Sequence, residues 1–127
     1  MNYEEYLKRA NDTLEFEDAN RILNASQLGV DAFDEDASEL YRDWLEAAFA
    51  YASVRSSWLQ LSKEKKMELD SGRTAKHDTV IVRINVLSRY LGSIGKDVSW
   101  RDELGDSRKR IGDFACYVAL VYGLNAR

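Results

Sequence analysis

Three charged residues stand where the surrounding sequence pattern favours apolar side chains. Arg55 lies between Ala52 and Leu59 in an apolar helical stripe, Arg83 lies beside a second stripe, and Asp113 lies in an apolar segment. A buried charge is costly unless it is paired and hydrogen-bonded, so we predict that Asp113 pairs with Arg55 or Arg83. Such a pair could be structural and fix helix packing. Alternatively, the planar guanidinium groups could hold a carboxylate or phosphate ligand in an arginine-lined binding site.

Neither the single histidine nor the single cysteine belongs to a recognisable catalytic motif. His77 has Asp78 beside it and could act in acid–base chemistry, but it stands at a predicted helix start, where a surface or capping role is expected. Cys116 lies on the small-residue side of an apolar helix, which favours a packing role. The sequence contains no phosphate-binding glycine loop, no paired histidines and no calcium loop. We therefore expect no catalytic residues, no metal and no cofactor.

One short segment does resemble an enzyme motif. Residues 103–106 have the sequence ELGD, which is similar to the second acidic motif of the all-α nucleoside-triphosphate pyrophosphohydrolases. The best candidate for the first motif is DWLE at residues 43–46, with Asp43 where the family has Glu and with more chain between the two motifs. The resemblance implies magnesium-dependent nucleotide hydrolysis, as the alternative to a non-catalytic protein. The carboxylates that would hold the magnesium ion are Asp43, Glu46, Glu103 and Asp106.

The charge balance argues against nucleic acid as a partner. The chain carries 22 acidic and 18 basic residues, a net charge of −4, which opposes the approach of phosphates. A small basic and aromatic patch combines Trp100 and Arg101 with the basic run 108–110. However, the helix that follows this run is too apolar to leave the core, so we expect protein partners, either a second copy or another chain.

The charge is also unevenly divided along the chain. Residues 1–50 hold 13 acids and four bases, whereas residues 51–127 hold nine acids and 14 bases. Helices of opposite sign could simply pack side by side, or the molecule could carry two oppositely charged poles of which one recognises a partner. The length fits one domain over residues 1–127. No signal peptide and no membrane-length apolar run are visible, so we expect a cytoplasmic protein without membrane contact.

The secondary-structure pattern predicts an all-α, single-domain bundle of four to five helices. The chain has no proline, and six of its seven glycines lie where a helix could end, which is typical of long uninterrupted helices. The predicted helices cover about 2–24, 36–70, 77–94, 99–104 and 107–124. Residues 79–86 also alternate like a strand, but no second strand is available to pair with them. We place the last helix at the centre, because it is apolar nearly all round.

Two further expectations concern the connections. Leu28, Val30 and Phe33 are expected to attach the connector between the first two helices to the core. Ser71 and Gly72 are expected to end the second helix, since glycine is a common helix terminator. Taken together, the sequence predicts a small non-catalytic interaction or regulatory protein.

Overall fold

The computed structural model describes residues 14–58 and 60–125, and within these ranges the fold is all-α. Residues 79–86 are helical, and the described ranges contain no strand. The predicted apolar stripe over residues 2–13 lies outside the described residues. The helices are α1 (Phe16–Leu28), α2 (Glu35–Trp58), α3 (Lys63–Ser93), α4 (Ser99–Leu104) and α5 (Arg108–Asn125).

The predicted break at Ser71 and Gly72 is wrong, because α3 runs through both residues. The chain turns earlier, after Trp58, and α3 begins after Ser62. The Ser62 hydroxyl accepts a hydrogen bond from the Lys65 backbone N–H at 3.2 Å, which satisfies one of the free donors of the first turn. A serine N-cap therefore decides the boundary, while Gly72 remains in the helix at the modest cost of an exposed helical glycine.

Two further helix boundaries are set by one short polar side chain and by one glycine. The Asp34 carboxylate accepts from the Ala37 backbone N–H at 3.1 Å, so Asp34 caps α2. Directly after α4, Gly105 has a backbone φ angle of +80°, a conformation that favours glycine. This residue separates α4 from α5, as the sequence predicts.

Helices α2 and α3 form an antiparallel pair with the most extensive packing in the described fold. Tyr90, near the end of α3, donates to Asp34 before α2, whereas Trp58, at the end of α2, lies against Arg73. Helix α5 packs across both partners, and α1 contacts α4 and α5. In the described ranges, no helix is both long and apolar enough to cross a membrane.

Helix α5 is the centre of the core, as predicted from its apolar surface. All residues from 111 to 119 are buried, and the Phe114 ring stacks on the Trp44 ring at 5.9 Å. The largest side chains that are fully enclosed come from all five helices and from Leu14, two residues before α1. They are Leu14, Ile22, Trp44, Val80, Ile84, Leu87, Leu91, Trp100, Leu104, Ile111, Phe114 and Val118.

The two halves of α3 differ sharply in burial. From Val80 onward, residues Ile84, Leu87 and Leu91 repeat at helical spacing and lie in the core. From Lys63 to Thr79, by contrast, the side chains are exposed except for three half-buried ones, Lys66, Arg73 and His77. The first half of α3 is therefore a charged, solvent-exposed arm.

Candidate functional site

The predicted pairing of Arg55 with Asp113 is confirmed. The Arg55 guanidinium donates through Nη2 to Asp113 Oδ1 and forms an ion pair between α2 and α5. The Asp113 side chain is fully buried, and the Arg55 side chain is only 12% exposed. The charge that interrupts the stripe of α2 therefore meets the charge that interrupts α5. A carboxylate in this position is neutralised by a guanidinium rather than exposed to solvent.

Gly112 allows this pair to lie against the α5 backbone. A Cβ atom at this position would lie 2.8 Å from Tyr51 Oη and 2.9 Å from Arg55 Nη1. Both side chains are held, because Tyr51 is buried and Arg55 is paired with Asp113. The close approach of α2 and α5 therefore requires a residue without a side chain at position 112.

Cys116 lies beside the same pair. Burial raises the pKa of its thiol to about 12, although the neighbouring Arg55 opposes the shift. A thiol with such a pKa is protonated at neutral pH and is a poor nucleophile. Cys116 therefore packs in the core, in line with the sequence-based expectation.

The expectation for His77 is wrong, because this residue lies within α3 rather than at a helix start. Its ring is half-buried and stacks on the Tyr51 ring, with centroids 4.7 Å apart. Its Nε2 lies 2.6 Å from the backbone carbonyl oxygen of Arg108. Burial, followed by the positive charges of Arg108, Arg55 and Arg73, lowers the pKa of His77. The sequence did not reveal this packing, because the error at Gly72 moved the helix boundary.

The structure does not bring Arg83 to the Arg55–Asp113 pair. Arg83 lies on the outer side of the α2–α3 interface, 45% exposed, with its Nη1 atom 3.9 Å from Asp43 Oδ2. The apolar face of α3 includes Val80, Ile84 and Leu87, and Arg83 lies just outside it. The predicted set of three binding residues therefore divides into a buried pair and an exposed one.

The four carboxylates suggested by the pyrophosphohydrolase motifs do not meet either. Asp43 lies near Arg83, and Glu46 is exposed on α2. On the α4 side, Glu103 accepts from Arg21 Nε at 2.7 Å, while Asp106 accepts from Arg101 Nη2 at 3.0 Å. In the part of the chain that the structure describes, no three His, Cys, Asp or Glu side chains are grouped to hold a metal ion.

The Arg101 side chain connects α4 to α3 by hydrogen bonds. Its Nε donates to Asn85 Oδ1 at 2.9 Å and its Nη1 to the Gly105 carbonyl oxygen at 2.7 Å. These residues line a cleft of about 210 Å³ together with Asp102 and Asp106. Trp100 is buried, so its ring does not lie on the surface beside the basic run 108–110.

The connector between α1 and α2 differs from expectation in an informative way. Val30 is partly buried against the core, but Leu28 is 86% exposed and Phe33 is 95% exposed. The turn is well defined, because the Phe33 backbone N–H donates to Asp31 Oδ1 at 2.9 Å. Phe33 therefore projects outward from an ordered turn. The sequence shows which residues of this segment are apolar, but it does not show whether their side chains face the core or the solvent.

The two ends of the α2–α3 pair carry different sets of charged side chains. The exposed acids Asp31, Glu35 and Asp36 surround the connector. At the start of α3, Lys63, Lys65 and Lys66 lie among the acids Glu64, Glu68 and Asp70, and Lys65 Nζ lies 3.4 Å from Glu68 Oε2. Two exposed apolar residues, Met67 (74%) and Leu69 (44%), lie close to these lysines in the sequence of α3. We call the three acids with Leu28 and Phe33 the acidic end. We call the three lysines with Met67 and Leu69 the basic arm.

Comparison with protein-family models, curated proteins and solved structures gives no match. The function must therefore be inferred from the geometry of this chain.

Proposed function

We propose that this protein is a non-catalytic, cytoplasmic interaction module that binds a second copy of itself, the acidic end of one molecule against the basic arm of the next. The observation that carries this proposal is the exposure of Leu28 and Phe33 on an ordered turn. Exposed apolar side chains that form a patch with a polar rim are typical of protein–protein contacts, and aromatic residues are frequent energetic centres of such contacts. A cytoplasmic location agrees with a single cysteine that is buried and reduced.

Charge complementarity selects the partner. An acidic rim around apolar side chains favours a partner surface that offers amino groups and apolar contacts. The basic arm offers three lysines beside Met67 and Leu69, with the acids Glu64, Glu68 and Asp70 between them. The two surfaces lie at opposite ends of the α2–α3 pair, so they cannot meet within one molecule. A contact between unlike surfaces is heterologous, and it joins molecules head to tail.

Sedimentation velocity tests the proposal. We expect the average mass to exceed the monomer value of 14.6 kDa at low salt and to fall as salt rises, because exposed charges are screened. Phe33→Asp should abolish the association. Val82→Asp is the matched control, since Val82 is 55% exposed on α3 and belongs to neither surface. A wild-type protein that remains monomeric at every concentration and salt would disprove self-association.

A mixing experiment tests the head-to-tail arrangement itself. Phe33→Asp disrupts only the acidic end, and Met67→Asp disrupts only the basic arm. Each variant alone should be monomeric, but their mixture should form a dimer through the one intact surface on each chain. If Met67→Asp associates like the wild type, the basic arm is not the partner surface and the proposed arrangement is wrong.

A further inference from the structure

A second feature, independent of the proposed function, lies where α2, α3 and α5 meet. Arg73 and His77 are four residues apart and so lie on one face of α3, and Arg108 begins α5. The Arg73 guanidinium lies over the Trp58 ring, 4.5 Å from its centroid, which restrains this side chain by a cation–π contact. Three residues from two helices thus bring two guanidinium groups and one imidazole to a single junction.

The positive charge at this junction exceeds the negative charge. Asp113 is occupied by Arg55, and Asp78 pairs with Arg108 at 2.8 Å on the exposed side. Among the described residues, Arg73 has its aromatic contact with Trp58 but no carboxylate within ion-pair distance. Its charge is therefore available to an external anion.

The hydrogen bond of His77 defines which ring nitrogen remains available. A carbonyl oxygen only accepts hydrogen bonds, so the contact with the Arg108 carbonyl requires that Nε2 carry the proton. In the neutral imidazole the other nitrogen, Nδ1, is then an acceptor. Because burial lowers the pKa of His77, the neutral form predominates at neutral pH. The junction thus combines positive charge with one acceptor.

We propose that Arg73, His77 and Arg108 form a binding site for a phosphate group that carries a hydroxyl, either hydrogen phosphate or a phosphate ester with a hydroxyl beside the phosphate. The Arg73 guanidinium binds the charged oxygens, and Arg108, whose Nη2 also pairs with Asp78, binds them through its remaining N–H groups. Nδ1 of His77 accepts a hydrogen bond from the hydroxyl group. The Trp58 and Tyr51 rings hold Arg73 and His77 in place.

Phosphate and sulfate distinguish this site from unspecific charge attraction. At mildly alkaline pH both are dianions, but only hydrogen phosphate has an O–H group to donate. The chain has one histidine, so its ring signals in an NMR titration report on the site without ambiguity. We expect a saturable shift with inorganic phosphate and at least about tenfold weaker binding of sulfate, the value of one lost hydrogen bond.

Variants and a third ligand complete the test. Arg73→Gln should remove the saturable phosphate shift, whereas Arg83→Gln, on the outer side of the same helix, should leave it unchanged. Glycerol 3-phosphate separates the two sources, because tighter binding than inorganic phosphate indicates an ester and weaker binding indicates the free ion. Equal affinity for sulfate and phosphate, or an unchanged shift in Arg73→Gln, would overturn the proposed site whatever the mass of the protein in solution.

Discussion

Two arginine–aspartate pairs connect α2 to its neighbours, and they differ in almost everything except chemistry. Arg55 and Asp113 lie at the α2–α5 interface with exposures of 12% and 0%. Arg83 and Asp43 lie on the outer side of the α2–α3 interface with exposures of 45% and 35%, at 3.9 Å. The energy of an ion pair depends on how much water surrounds it. The same two residue types therefore serve as an essential link in one place and a minor contact in the other.

The largest effect is expected for Arg55→Ala. This change leaves the Asp113 carboxylate in the core without its guanidinium, and removing one partner of a buried pair typically destabilises by about 3–5 kcal/mol. Urea unfolding followed by circular dichroism measures the loss. A decrease below about 1 kcal/mol, the range of exposed pairs, would show that the pair is not energetically buried.

The double variant Arg55→Met with Asp113→Leu sharpens this prediction. Replacing both charges by apolar side chains removes the desolvation cost as well as the attraction, and such replacements are often neutral or stabilising. The double variant should therefore be more stable than Arg55→Ala. If both are equally unstable, the loss comes from the packing of the Arg55 side chain and not from an uncompensated charge.

Gly112→Ala is expected to have the next largest effect. A methyl group would meet Tyr51 Oη at 2.8 Å and Arg55 Nη1 at 2.9 Å, and overpacking typically costs about 1–3 kcal/mol. Gly72→Ala is the matched control, because nothing lies within 4 Å of the added atom. Here the better helix former should stabilise the protein by about 0.5–1 kcal/mol. Thermal unfolding of both variants should thus give shifts of opposite sign, and equal signs would contradict the close approach at Gly112.

The burial of His77 predicts that the stability of the protein depends on pH. The pKa of His77 is lower in the folded protein than its ordinary value of 6.5, so the unfolded chain binds a proton first as the pH falls. The contribution of His77 to stability is therefore complete above about pH 6.5 and decreases as the pH falls from there towards the folded pKa. Urea midpoints measured across this range should decline for the wild type, and a part of that slope should be absent in His77→Phe. An identical slope in both proteins would contradict the packing of His77 against Tyr51.

The smallest effect is expected for Arg83→Ala. An exposed pair typically contributes about 0–1 kcal/mol, and screening reduces it further at high salt. The urea midpoint of this variant should therefore lie close to that of the wild type. A loss comparable to that of Arg55→Ala would remove the distinction between the two pairs.

The sequence predicted those features that follow from the apolar pattern of each helix. The pairing of Arg55 with Asp113 followed because each interrupts an apolar stripe, and a buried charge needs a counter-ion. The central position of α5 followed from its apolar surface. The sequence left Arg83 as the alternative partner of Asp113, since a residue next to an apolar face can lie inside or outside the interface depending on the partner helix.

The remaining features depend on relations between helices, which a single sequence does not contain. The direction of Leu28 and Phe33 is set by the way the connector is anchored at Val30 and Asp34. The contact between His77 and Tyr51 joins α3 to α2. It was not predicted, because the predicted helix end at Gly72 placed His77 at a helix start. Glycine can either end a helix or lie within one. At Gly72 the second case applies, because the Ser62 cap begins α3 before this residue.

The division of α3 also has a consequence for the motions of the protein. Its second half can lose backbone hydrogen bonds only when the core opens, whereas its charged arm has little packing to resist local fraying. Amide hydrogens between Lys66 and Gly72 should therefore exchange with solvent by opening of the arm alone, and those between Ile84 and Leu91 by global unfolding. One continuous helix would then report two free energies. Because a bound second copy would cover the arm, slower exchange there alone would be the kinetic signature of assembly.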